Sequence, residues 1–315
     1  MRRMYWKAWS AMALLLLAVA VSAQQAPINP KAVALLRWYP ANTTTFFPQG
    51  SGDGALVFDG ANIWVANCFN ATVAKLRASD GASLGTFEVG TSPQGLAFDG
   101  ANIWVANSWD GTVTKLRASD GAHLGTFAVS DAPYGVAFDG ANIWVTDSNS
   151  NVVTKLRASD GANLGTFNVG GPADYIAFDG ANIWVPNTAS NTVTKLRAAD
   201  GAILGTFTVG NEPVGVAFDG ANIWVTNYWD TTVSKLRASD GAVLGTFDVT
   251  QPWGVAFDGV NVWVSQPDAN LVNKLRASDG ALLGTFWIAS DYFPTVIAFD
   301  GANIWVATSY GVSKM

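Results

Sequence analysis

Few residues of this 315-residue chain could carry acid–base, nucleophilic or metal chemistry, because it holds one histidine, His123, and one cysteine, Cys68. A single cysteine excludes a disulfide framework and a multi-cysteine metal site. A single histidine excludes a histidine-cluster metal site. His123 lies between Ser-Asp-Gly and Leu-Gly-Thr-Phe, in a slot that holds Ser83, Asn163, Ile203, Val243 and Leu282 elsewhere in the chain. A slot that accepts aliphatic residues makes no demand for an imidazole, so His123 reads as a solvated turn residue. Cys68 stands where related segments carry Ser108, Ser148, Thr188 and Tyr228, and no histidine nearby in the sequence could activate it. The recurring acids are Asp59, Asp99, Asp139, Asp179, Asp219, Asp258 and Asp300, with Asp80, Asp120, Asp160, Asp200, Asp240 and Asp279. All precede glycine, where an aspartate hydrogen-bonds the local backbone of a turn. A calcium array is the alternative, but the dense Asp-x-Asp-x-Asp spacing it needs is missing. No cofactor and no catalytic residue is expected.

The elements that position these residues come from composition and repetition. Hydrophobic residues make up 49% and charged residues 13%, with 32 glycines and 14 tryptophans. That balance excludes disorder and argues against a surface-helical bundle. The formal net charge of −6 argues against nucleic acid as a partner. Residues 1–23 have a basic start (Arg2, Arg3, Lys7), an apolar run from Ala11 to Val21 and small residues at Val21-Ser22-Ala23. This is the pattern of a secretory signal peptide, and the run is short for a membrane anchor. Removing it takes the charge from −6 to −9 and leaves a chain expected to be soluble, monomeric and extracytoplasmic, with no membrane insertion.

The rest is one unit repeated seven times. FDGANIWV begins at Phe58, Phe98, Phe138, Phe178, Phe218 and Phe299, and FDGVNVWV at Phe257, with spacings of 40, 40, 40, 40, 39 and 42. KLRASDGA or KLRAADGA follows six of the seven, and LGTF follows those. Asp-Gly between apolar runs is a strong hairpin signal. Four strands of about five residues and four turns of about four fill roughly 40 residues, the size of a propeller blade. The expected fold is all-β: a seven-bladed β-propeller of four antiparallel strands per blade, over residues 43–315. The last copy stops after three strands, at Val312-Ser313-Lys314-Met315, and residues 44–47 supply a fourth, closing the ring from both ends. Residues 24–42 form an N-terminal segment in which Asn29-Pro30 precedes a short capped helix or, alternatively, an extra strand. One tryptophan per copy is expected to fill the wedge between blades. Lys and Arg of KLR, two apart, share a strand face and are expected to point outward or pair with turn aspartates.

These motifs resemble the secreted YVTN and NHL-type seven-bladed β-propellers of bacteria, a superfamily that also contains the streptogramin lyases. The resemblance covers about residues 43–315 and rests on architectural residues. It implies that the lyases' histidine base and carboxylate-held divalent metal would be needed for their activity. No histidine falls on the matching face here, so the activity does not carry over.

Where the copies differ, two loops per blade diverge: the one entering the innermost strand and the one joining the second and third strands. Both belong to one face of a propeller. That face carries Phe69, Trp109, Tyr134, Tyr175, Tyr228, Trp229, Trp253, Tyr292, Phe293 and Tyr310. It also carries Asp53, Asp110, Asp131, Asp147, Asp174, Glu212, Asp230, Asp268 and Asp291, and no Lys or Arg. The channel mouth is expected to be ringed by Gly54, Gln94, Tyr134, Asp174, Val214, Trp253 and Thr295. Exposed aromatics with acids suit a glycan or a cationic peptide or protein segment. The expected binding residues are Tyr228, Trp229, Asp230, Trp253, Asp291, Tyr292 and Phe293 in one sector. Tyr134 is also expected to bind, as are Trp109 and Asp110, which should matter less because they lie across the ring. The expected function is therefore a non-catalytic binding propeller. A metal-assisted lyase or lactone hydrolase, a structural display or adhesion module, and drift of solvated loops are the alternatives.

Overall fold

The computed structural model describes residues 44–48, 54–288 and 293–315. The leader 1–23, the segment 24–42, Asp53, Asp291 and Tyr292 lie outside the described residues. The described residues form seven four-stranded antiparallel sheets. Blade 2 shows the plan: Pro93–Phe98, Asn102–Asn107, Thr112–Arg117 and His123–Ala128 pair in chain order. The first strands of neighbouring blades contact one another around the whole ring, including those of blades 1 and 7. Blade 7 is completed by Thr45–Phe47, which pairs antiparallel with Gly311–Lys314, Phe47 opposite Val312.

Each second strand reads Asn-Ile-Trp-Val or Asn-Val-Trp-Val, so alternate side chains enter different inter-blade cores. In blade 2, Ile103 and Val105 pack with Trp64 of blade 1, while Trp104 and Ala106 pack with Ile143 and Leu156 of blade 3. Six of the seven repeated tryptophans are fully buried and the seventh, Trp263, nearly so. Each also donates its indole N–H to the FDG aspartate of its own blade, as Trp64 does to Asp59 at 2.8 Å. The same aspartate accepts from the backbone N–H of Ala61 and Asn62, as expected of a turn residue. The wedge therefore meets two needs at once, filling volume and satisfying the indole.

The lysine of KLR corrects the sequence expectation. Lys115 is 8% exposed, not outward. Its Nζ donates to the carbonyl of Ala158, 2.7 Å away in blade 3, and lies 4.9 Å from the Trp104 ring centroid. Arg117 does reach solvent and pairs with Asp120 in the next turn. The two share a face, but that face is covered by the next blade at Lys115 and open at Arg117, where the strand ends. The same staple joins blade 7 to blade 1, where Lys314 Nζ donates to the carbonyl of Ala78.

Phenylalanines of the fourth strands complete the wedges. Phe87 lies 5.4 Å from Trp64, centroid to centroid. Phe47 lies 5.6 Å from Trp305 and presses on the turn at Gly81 in blade 1. A Cβ on Gly81 would stand 1.9 Å from Phe47 Cε1, and its φ of +73° also favours glycine.

Candidate functional site

Tight DGAN and ASDGA turns make up one face of the ring. The other face is built from the variable loops, whose backbones are cross-tied: the Ser108 N–H donates to the Ser92 carbonyl and the Tyr228 N–H to that of Glu212. Carboxylates on this face do part of that tying. Asp110 accepts from the backbone N–H and the hydroxyl of Thr91, and Asp230 accepts from the N–H of Asn211 at 2.7 Å. Asp147 is fully buried and accepts from the N–H groups of Ala132, Asn149 and Ser150. These three acids hold loops, so the nine-acid census of this face overstates what a ligand would meet.

At the channel mouth, aromatic rings from four blades join. Tyr134 meets Tyr175 edge-on, with centroids 5.7 Å apart. The Trp253 indole N–H donates to the Tyr175 hydroxyl at 3.1 Å, linking positions 78 residues apart. Tyr228 meets Trp253 edge-on at 5.6 Å and Trp229 at 5.0 Å, and its hydroxyl donates to Asp268 at 2.9 Å. These contacts make an arc from blade 3 through blades 4 and 6 to blade 5. Edge-to-face pairs stabilise one another and hold ring positions fixed.

Carboxylates border the arc. Burial, and then the Glu212 carboxylate, push the Asp174 carboxyl up to about 6. Burial raises Glu212 as well. Burial, reinforced by Tyr175, Asp174 and Cys68, pushes the Tyr134 phenol well above its ordinary value. Burial and the hydrogen bond to Asp268 raise Tyr228. All of these shifts favour the neutral form, chiefly through burial, which neighbouring negative groups reinforce at Asp174, Tyr134 and Tyr228. The repeated lysines lie between blades and the KLR arginines on the opposite rim, so none of them relieves the mouth.

Of the residues expected to bind, Tyr228 contacts both Trp229 and Trp253, and Tyr134 joins them through Tyr175. Trp229 is 62% exposed. Asp230 stands beside them but is committed to Asn211. Phe293 leans toward blade 6, its N–H donating to the Asn270 side chain at 3.2 Å. Trp109 lines a separate pocket between blades 1 and 2, and Asp110 next to it in the chain is committed to Thr91. Counting along the innermost strands had placed Tyr134, Asp174 and Trp253 at the mouth. It gave Tyr175 no role there, since only the closed ring brings it to Trp253.

His123 is not in a turn: it begins the outermost strand of blade 2, is exposed, and hydrogen-bonds Thr126. No group of three or more potential metal ligands occurs among the described residues.

Neither protein-family models nor curated proteins gave a match to this sequence. Solved structures did. A streptogramin B lyase superposes with a TM-score of 0.75 at 19% identity, over 86% of this chain and 96% of that one. A catalytically inactive histidine-to-alanine variant of virginiamycin B lyase from Staphylococcus aureus, with quinupristin, gives 0.76 at 18%, over 86% and 98%. Hydrazine synthase from Kuenenia stuttgartiensis gives 0.72 at 16%, over 85% and 96%. At these identities the likeness is one of fold, the propeller architecture alone.

Proposed function

We propose that this chain is a non-catalytic, extracytoplasmic binding propeller whose variable face captures a cationic peptide segment or a glycan at the channel mouth. The observation that carries this reading is the arc Tyr134–Tyr175–Trp253–Tyr228, bordered by Asp174, Glu212 and Asp268 with no Lys or Arg of the described residues among them. Aromatic faces attract ammonium and guanidinium groups, and desolvation strengthens that attraction. A cation entering the mouth would also relieve the repulsion between Asp174 and Glu212. Tyr and Trp are rigid and amphipathic, the side chains that most often dominate binding energy. Secretion follows from the leader-like residues 1–23, which would place the face toward extracellular or periplasmic ligands.

The test is an array of cationic peptides and glycans probed with residues 24–315. Binders should appear in at least one class and compete at the mouth. No binder in either class would sink the reading.

Asp174 favours one rival. A carboxyl near 6 beside a buried phenol is equipped for proton transfer, and the fold is shared with lyases. A lactone-opening or elimination activity that Asp174→Asn abolishes would replace the binding reading. The chain's sole histidine, on the outer strand of blade 2, offers that chemistry nothing.

A further inference from the structure

The mouth is not the only concavity on the variable face. A second pocket of about 340 Å³ opens between blades 1 and 2. Its flanks are Phe69 and Trp109, from the second-to-third-strand loops of consecutive blades. They are 79% and 81% exposed, more than any other large apolar side chain among the described residues. Thr91, Ser92, Gln94 and Cys68 complete the walls.

The chemistry of these walls narrows the ligand. Among the described residues no charged side chain lines the pocket, and the Asp110 carboxylate, next to Trp109 in the chain, is engaged by Thr91. An ionised ligand would therefore lose its hydration and gain no counter-charge. A purely apolar ligand would leave one group unanswered. Gln94 donates from Nε2 to the Ser92 hydroxyl at 3.2 Å, while its Oε1 is buried with no partner. Turning the amide over would orphan the N–H₂ instead. An orphaned buried amide group is costly and rare unless something else supplies its partner. Two accessible aromatic faces and an unanswered amide suit a neutral ring with apolar C–H faces and hydroxyl edges. The volume is at the small end of the range for ligand pockets.

We propose that this pocket is a second binding site, independent of the mouth, that takes a neutral pyranose ring. The sugar's C–H face stacks on Trp109 and Phe69, and a rotation of the Gln94 side chain brings its buried amide oxygen out to accept from a hydroxyl.

Cys68 supplies a local reporter, because it lines the pocket and is the only thiol of the chain. Its labelling by Ellman's reagent is followed with neutral hexoses and N-acetylhexosamines, as monosaccharides and as β-linked trimers. At least one should slow the reaction in a saturable way. Trp109→Ala and Gln94→Ala should each raise the half-protecting concentration about tenfold or more, while Trp253→Ala leaves it unchanged. The Trp109 indole N–H resonance, identified by its loss in Trp109→Phe, should shift with the same sugar, and it serves if the thiol proves unreactive. The proposal is overturned if no saccharide shifts that resonance or protects Cys68. It is also overturned if protection survives in Trp109→Ala, or if only the planar heteroaromatic caffeine protects. Because Trp253 is intact in the Trp109 and Gln94 variants, failure here leaves the mouth reading standing.

Discussion

At the scale of single residues, aspartates with one side chain type do opposite things according to their partners. For the seven FDG aspartates, burial opposes the charge. Hydrogen bonds from the tryptophan indole, the asparagine side chain and the local backbone outweigh it and hold each carboxyl below its usual range. A lowered folded pKa contributes stability that is present above the unfolded value of about 3.9 and lost as pH falls through the folded one. Asp174 has the opposite sign. Raised to about 6, it binds a proton more tightly when folded, so it weakens the fold fully above that pH and progressively less as pH falls from 6 toward the unfolded value of about 3.9. The melting temperature should therefore rise as pH is lowered from about 7.5 to 5 and then collapse below about 4. Asp174→Asn should remove the rise and leave the acid collapse in place. A variant whose profile overlays the parent's would show that Asp174 is not strained.

At the scale of elements, the blade was legible in the sequence and its lateral contacts were not. Period, Asp-Gly turns and apolar alternation predict four strands per copy, and the strands fall there. The alternation also puts Lys115 and Arg117 on one face, correctly. It does not reveal that the next blade covers that face at Lys115, since a strand pattern carries no information about what stacks on it. The carbonyls of Ala158 and Ser159, together with the Trp104 ring, make burial of the ammonium tolerable. Lys115→Met keeps the apolar stem but leaves those carbonyls without their donor and removes the cation over Trp104. It should lower stability by about 2 kcal/mol, read as a shift of the urea midpoint. An unchanged midpoint would mean the lysine is incidental. The mouth was legible in part for a related reason. Position along the innermost strand identifies Tyr134, Asp174 and Trp253, whereas the Trp253–Tyr175 bond joins blades that only the closed ring brings together.

At the scale of the whole molecule, closure makes the variable face one surface. The sequence showed this through complementary deficits: three strands at one end, one at the other. Phe47 carries much of the closing contact, stacked on Trp305 and pressed against Gly81. Phe47→Ala should destabilise by about 3 kcal/mol. It should also loosen the pairing of Thr45–Phe47 with Gly311–Lys314, seen as faster amide exchange in Val312 and Ser313. Unchanged exchange there would contradict closure by that strand. The most direct test of the account as a whole is the affinity of an array-selected ligand for three variants measured side by side. Trp253→Ala and Tyr228→Ala should each weaken binding at least about tenfold. Trp287→Ala, which removes an exposed tryptophan from the outer strand of blade 6, should not. Equal affinities across all three, or loss with Trp287→Ala alone, would contradict the channel mouth as the binding site.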